Sequence, residues 1–185
     1  DDPIVIGGGP CTYNPEPIAD FFDLFYIGEG ETMYRQIFDI YKENKENGGS
    51  RIDFLRKICG LQGIYVPMFY DVTYHEDGTI AAMEPNIPEA PKHITKNMVE
   101  DFDKVSYPMK PVVPFIKCTQ DRVVLEIQRG CTRGCRFCQA GFSCRPVRKK
   151  SPEVLYRQAV ETLEDSGHNE ITLSSLSTSD YRGLK

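Results

Sequence analysis

The sequence predicts an α/β fold, in which short β-strands alternate with helices. A strand, loop, helix and second strand follow one another over residues 121–174, the order that typifies a parallel β-α-β unit. Near the amino terminus, a short apolar strand runs into a glycine loop, and a second strand leads into a helix. The amino-terminal and carboxy-terminal parts of the chain are therefore each predicted to form β-strands that pack with a helix.

The amino-terminal strand ends in the glycine loop Gly7, Gly8 and Gly9, and the second strand covers residues 24–27. Glycines after a strand let the backbone approach a large flat cofactor closely. The chain has no GxGxxG sequence with a downstream acidic partner here, so a dinucleotide is not the predicted ligand.

The middle of the chain is predicted to be architectural. Residues 31–48 form an amphipathic helix whose Tyr34, Ile37, Phe38 and Tyr41 are expected in the core, and 51–60 form a second, shorter helix. A hairpin is predicted over residues 65–83, turning at Glu76-Asp-Gly78, followed by an extended proline-rich segment at 84–114.

The carboxy-terminal third begins with a strand at residues 121–128, whose second face carries Glu126 and Gln128. A parallel strand buried on both sides is normally apolar throughout, so this face indicates a polar barrel interior or an exposed edge. Ser151 is predicted to cap a helix that Gly167 ends, and residues 170–174 form the next strand.

Between these strands lie Cys131, Cys135 and Cys138, in the spacing CxxxCxxC. Zinc and iron-sulfur clusters favour thiolate ligands, and a closed site of either kind takes four, so one metal position is left open. A helical cysteine stripe is one alternative, but Gly130, Gly134 and Gly141 favour a loop. A zinc site, with Cys144 or a remote histidine as fourth ligand, is another, although no second ligand pair is present.

Residues 127–152 contain no acidic side chain and seven cations: Arg129, Arg133, Arg136, Arg145, Arg148, Lys149 and Lys150. Positive charge lowers the pKa of a thiol and favours an anionic cluster. A solvated basic face and a phosphate-binding patch for nucleic acid are the alternative interpretations.

With Phe137 just before the last cysteine, the motif resembles that of the radical S-adenosylmethionine enzymes. The resemblance implies that the three cysteines hold three irons of a 4Fe-4S cluster, and that the amino and carboxylate groups of S-adenosylmethionine bind the fourth iron. Phe137 would then help to bind the cofactor. An electron from a donor such as flavodoxin or ferredoxin would release a 5'-deoxyadenosyl radical, which abstracts hydrogen from an unknown RNA, protein or small-molecule substrate. No protein side chain is predicted to be catalytic.

Many members of this family contact the methionine amine with a Gly-Gly-Glu stretch near the second strand. This chain has hydroxyls there instead, and Ser174, Ser175 and Ser177 are the predicted S-adenosylmethionine contacts. An ordinary capped turn explains the same residues equally well.

Gly7, Gly8, Gly9 and the strand and helix that follow resemble the end of the Rossmann-like cobalamin-binding domain found upstream in many of these enzymes, so they are candidate cofactor contacts. Cobalamin is a possible but doubtful ligand, because the cobalt-binding Asp-x-His-x-x-Gly sequence is absent.

The order of motifs resembles one uncharacterised bacterial family of such proteins. It implies a cobalamin-binding-type domain end at 1–48, a connecting region at 49–118, and the first strand-helix units of a partial TIM-type barrel at 119–185. The chain is accordingly expected to be an internal piece of a longer enzyme, inactive by itself.

Composition adds broad limits. A net charge of -5 argues against wholesale nucleic-acid binding, and no apolar stretch approaches a membrane span. Seven clustered cysteines and the absence of a signal peptide predict a cytoplasmic protein without disulfides. The alternative function is a non-catalytic module that binds zinc or a cluster structurally.

Overall fold

The computed structural model describes residues 2–116 and 118–184 and divides the chain into two compact units, Asp1–Val99 and Glu100–Lys185. The architecture is mixed α/β with small sheets, as predicted. The three-part division at residues 48 and 118 stays a prediction, and its outer ends, residues 1 and 185, lie outside the described residues.

The first unit contains a three-stranded sheet. Strand β1 (Ile6–Gly7) pairs in parallel with β2 (Leu24–Tyr26), which pairs antiparallel with β3 (Ile64–Tyr65). Strands β4 (Tyr70–Tyr74) and β5 (Ile80–Pro85) form a hairpin that turns through Gly78 at a φ of 83°, as predicted. It begins at Tyr70 and not at Tyr65, because Tyr65 belongs to β3 and pairs with Phe25.

The described part of the first unit also contains two α-helices, α1 (Tyr34–Glu46) and α2 (Arg51–Ile58). Ser50 caps α2, because its hydroxyl accepts from the Asp53 amide at 3.2 Å while the Asp53 carboxylate accepts from the Ser50 amide at 2.8 Å. One face of α2 enters the main core, which includes Leu24, Tyr26, Ile37, Phe54, Leu55, Ile58, Ile64 and Val66.

The aromatic side chains of α1 are not in the core as expected. Ile37 is buried, whereas Tyr34 and Phe38 are 47% and 60% exposed, and Tyr41 is also exposed. The helix buries only a narrow stripe, through Ile37 and Asn44. The rings of Tyr34 and Tyr41 lie at the border of the core, each with its centroid 5.2 Å from that of a buried ring, Tyr26 and Phe54 respectively. Helical periodicity identified the aromatic face but not how much of it is covered.

The second unit is built on a parallel strand pair. Strand β6 (Val123–Glu126) pairs residue by residue with the later strand Ile171–Ser174, from Val123 opposite Ile171 to Glu126 opposite Ser174. In the sequence between these two strands, β7 (Gln128–Arg129) pairs antiparallel with β8 (Arg148–Lys149). The segment that connects β7 to β8 contains the short helix α3 (Ala140–Ser143).

The predicted crossover helix is α4 (Pro152–Ser166), and it leads to β9 (Ile171–Ser174). The Ser151 hydroxyl accepts from the Val154 amide at 3.4 Å, and Gly167 ends the helix in the left-handed region at a φ of 72°. The strand-loop-helix-strand order is thus confirmed.

The Rossmann-type character of the first unit and the barrel character of the second stay predictions, since each sheet is small. Across the described residues, no helix combines the length and apolarity that a membrane crossing requires.

The core of the first unit can be tested through α2. Leu55 is fully buried, whereas Ile52 on the same helix is half-exposed. Leu55→Ala is expected to lower the free energy of unfolding by about 2–5 kcal/mol, because it removes buried methyl groups and leaves a cavity. Ile52→Ala, the control, should have a clearly smaller effect in urea unfolding followed by circular dichroism. Equal effects would contradict the assigned face.

Candidate functional site

The parallel pairing of β6 and β9 places two loops at the same edge of their sheet. The cysteine loop, residues 130–139, follows β7. The serine loop, residues 174–181, begins at the last residue of β9. The Gln128 side-chain amide donates to the Ser177 carbonyl at 2.8 Å. The Arg133 guanidinium donates two hydrogen bonds to the Asp180 carboxylate, one of them 2.8 Å long. The structure therefore brings the cysteine loop and the serine loop next to each other.

The cysteine motif lies in a loop, as its glycines predicted. Gly130 has a φ of 84°, and a Cβ at this position would lie 2.7 Å from the carbonyl oxygens of Cys144 and Pro146. Only glycine fits such a contact without moving the backbone. The Cys138 amide donates to the Cys135 carbonyl at 3.0 Å, so the last two cysteines share one turn.

The three thiols are free, with Cys135 exposed and Cys131 and Cys138 half-buried. The Arg133 amide donates to the Cys131 sulfur at 3.4 Å, a bond that would also stabilise a thiolate. Among the described residues, no three Cys, His, Asp or Glu side chains are gathered to hold a single metal ion. A cluster sets a different requirement, because each cysteine binds its own iron and the sulfurs need not converge on one point. The donor set therefore fits a cluster in its chemistry, while the thiols are not already arranged around one ion.

Acidic residues that lie outside residues 127–152 partly balance the positive charge in and next to the cysteine loop. Arg129 forms a bidentate ion pair with Glu126, in which both hydrogen bonds are 2.8 Å long, and Arg133 forms an ion pair with Asp180. Lys150 is buried, with its ammonium about 5 Å from the ring centres of Phe102 and Tyr107. No local sequence pattern indicated the Arg133–Asp180 pair, because its members are 47 residues apart.

Hydrogen bonds from Arg133 and then Ser177 hold the pKa of the Asp180 carboxyl below its usual value. A carboxyl whose pKa is lower in the folded state stabilises the fold above its unfolded-state pKa, about 3.9, and loses that contribution as the pH falls through the lowered value. The Arg133–Asp180 ion pair therefore contributes fully to stability at neutral pH, and this contribution is lost only in acid, where Asp180 is protonated.

The serine loop is held mainly by its own hydroxyls. The Ser175 and Thr178 hydroxyl oxygens are 2.8 Å apart, and the Ser177 hydroxyl donates to Asp180 at 2.8 Å. Ser174 is exposed, and its carbonyl accepts from the Ile127 amide. The capped-turn interpretation thus accounts for Ser175 and Ser177, and their predicted role as ligand contacts stays a prediction.

Two other predicted positions differ in their surroundings. The Phe137 ring is 93% exposed, so it offers an apolar surface beside the last cysteine. Cys144 is half-buried just beyond α3, with its sulfur 3.8 Å from the Ser143 hydroxyl oxygen, and its role as a possible fourth zinc ligand stays an open alternative.

The glycine loop Gly7, Gly8 and Gly9 belongs to the first unit. A Cβ at Gly7 would overlap the Phe25 ring, whereas one at Gly8 or Gly9 would meet no atom within 4 Å. Gly7 is therefore explained by packing inside the sheet. The surroundings of Gly8 and Gly9 are open, and the predicted role of the three glycines as cofactor contacts stays a prediction.

Two family models match separate parts of the chain. Residues 1–67 match the amino-terminal region of radical SAM proteins, where SAM is S-adenosylmethionine, and residues 125–185 match the radical SAM superfamily. The second match includes all three cysteines and the serine loop.

Two curated proteins are similar to this chain. An uncharacterised protein of Methanocaldococcus jannaschii is 26% identical over 189 aligned residues, which cover 97% of this chain and 33% of that protein. The threonylcarbamoyladenosine tRNA methylthiotransferase MtaB of Bacillus subtilis is 37% identical over 60 residues, covering 32% of this chain and 13% of that enzyme. The chain thus spans a third or less of these relatives.

The link between the two loops can be tested by titration. In Arg133→Gln, the pKa of Asp180 should rise toward its usual value, because the guanidinium that lowers it is gone. Carboxyl-carbon NMR measures this shift. Asp77 is the internal control, since hydrogen bonds from Thr79 lower its pKa and should persist in the variant. An unchanged Asp180 titration would show that the loops are not joined through Arg133.

Proposed function

We propose that this chain, which belongs to the radical S-adenosylmethionine superfamily, carries the part of a radical enzyme that binds a 4Fe-4S cluster and S-adenosylmethionine. The observation that carries the proposal is the CxxxCxxC loop at the shared edge of β6 and β9. Ligands of parallel α/β folds bind at this carboxyl-terminal edge.

Cys131, Cys135 and Cys138 would hold the cluster through their thiolates and leave one iron for the second cofactor. When bound, the two cofactors supply a reducing electron and the 5'-deoxyadenosyl group that becomes the radical. The backbone amide of Arg133, directed at the Cys131 sulfur, would stabilise the thiolate form of that ligand.

Other side chains would position the two loops and cover the ligands. The Arg133–Asp180 pair ties the cysteine loop to the serine loop, and Arg145 donates to the Cys131 carbonyl at 3.2 Å. The exposed ring of Phe137 would pack against the bound nucleoside and exclude water there. The proposal includes no cobalamin chemistry.

The substrate is an RNA, a protein or a small molecule, and the electron donor is a protein such as flavodoxin or ferredoxin. The similarity to a tRNA methylthiotransferase favours RNA as the first class to test, although it covers only 60 residues. The first unit would be the end of a Rossmann-type domain and the second the start of a barrel that further strands complete.

The alternative is a non-catalytic module in which the cysteines bind zinc or a cluster only structurally. A structural zinc site would take four protein ligands, so it would recruit Cys144 or another side chain. The two functions therefore differ in the metal bound and in the cysteines required.

Metal reconstitution separates these functions. After anaerobic incubation with iron and sulfide, the chain is expected to hold about four irons, as a 4Fe-4S cluster requires. Replacing Cys131, Cys135 or Cys138 singly with alanine should reduce iron and sulfide to less than half, because each cysteine binds its own iron. Metal analysis and the visible absorption spectrum measure the loss.

Cys144→Ala is the matched control and should retain the cluster, since that half-buried thiol lies outside the motif. A chain that stays colourless and binds one zinc instead would refute the cluster proposal. So would a Cys144→Ala variant that loses as much iron as Cys135→Ala.

A further inference from the structure

Gln128 carries an unsatisfied acceptor beside the cysteine loop. The residue is 2% exposed, and its side-chain oxygen is the buried side-chain nitrogen or oxygen atom that lacks a hydrogen-bond partner among the described residues. The orientation of the amide is fixed, because its nitrogen donates to the Ser177 carbonyl, which can only accept. The side-chain oxygen is therefore the atom of this amide that lacks a hydrogen-bond partner among the described residues.

A buried polar atom without a partner destabilises the fold, because it loses water and gains no bond in return. A glutamine at this position is explained if a donor reaches its oxygen in the working state of the protein.

The position of Gln128 restricts what that donor can be. The residue lies in β7, three residues before Cys131, and its amide rests against the serine loop. The hydroxyls of Ser175 and Ser177 already bond within that loop. The Gln128 oxygen is thus a buried acceptor in a residue that lies just before the cysteine loop and contacts the serine loop, and the proposed function assigns these two loops to the cofactors.

We propose that the Gln128 side-chain oxygen accepts a hydrogen bond from the α-amino group of bound S-adenosylmethionine. This inference rests on the proposed function and on the family resemblance, which implies that the amino and carboxylate groups of S-adenosylmethionine bind the fourth iron and so lie next to the cysteine loop. An amine bound to a metal keeps two N–H donors, whereas the carboxylate can only accept. The ribose and adenine donors belong to the other end of the molecule.

The oxygen is enclosed, so the two loops must part slightly to admit the ligand. One side-chain link between the two loops is the Arg133–Asp180 pair, whose arginine side chain is largely exposed. Exposed ion pairs are screened by water and contribute little to stability, so the parting of the loops is readily reversible.

The test is a two-by-two comparison of proteins and ligands. Gln128→Met keeps the side-chain length but removes the acceptor. The binding of S-adenosylmethionine and of its analogue with hydrogen in place of the α-amino group is measured by anaerobic calorimetry on the reconstituted chain. For S-adenosylmethionine the variant is expected to bind about tenfold more weakly, the loss of one hydrogen bond. For the analogue, both proteins should bind equally.

Iron content is measured first, so that failure of the inference and failure of the proposed function are distinguishable. A wild-type chain without iron refutes both. A variant that loses its iron, while the wild type keeps it, shows that Gln128 serves the loop rather than the ligand and overturns the inference. Equal weakening for both ligands, or no weakening, overturns it as well.

A second variant keeps the test possible if the first one does not fold. If circular dichroism shows that Gln128→Met does not fold, Gln128→Asn replaces it in the same comparison, because it keeps an amide but withdraws it by one methylene. A loss confined to S-adenosylmethionine would again support the proposal, and a loss common to both ligands would contradict it.

Discussion

The parallel pairing of β6 with β9 is the constraint on which the candidate site depends. Parallel strands need a crossover, and α4 supplies it between the Ser151 cap and the Gly167 stop. Once Glu126 lies opposite Ser174, the loops that follow both strands must emerge at the same edge. The hydrogen bonds from Gln128 to the serine loop and from Arg133 to Asp180 are consequences of that register. A one-residue slip would turn the side chains of β6 to the opposite face and separate these partners.

The chemistry of the site follows from what the cysteine loop lacks as much as from what it contains. Three thiols cannot close a four-ligand site, so a second molecule is needed to complete it. Two acids, Glu126 and Asp180, balance part of the positive charge, which leaves the loop less cationic than its own residues indicate. The contacts that join the loops are few and mostly exposed, which suits a site that must open to admit a large ligand.

Local signals in the sequence predicted the local parts of this structure. The Ser151 cap, the glycine stop, the hairpin turn and the loop character of the cysteine motif each depend on neighbouring residues, and each is confirmed. Features that depend on distant residues were not predictable in this way. The Arg133–Asp180 pair joins residues 47 apart, the burial of Gln128 depends on the serine loop, and the exposure of Phe38 depends on what covers α1. Helical spacing shows which side chains share a face, but tertiary packing determines whether that face is buried.

The central claim is that the three-cysteine loop holds a cluster whose remaining iron binds S-adenosylmethionine. Its most direct test is electron-nuclear double resonance on the reduced, reconstituted chain with S-adenosylmethionine that carries ¹⁵N in its amino group. The account predicts that the ligand alters the cluster spectrum and that a coupling to ¹⁵N is observed. A cluster that forms in full, yet shows neither change when S-adenosylmethionine is added, would contradict it.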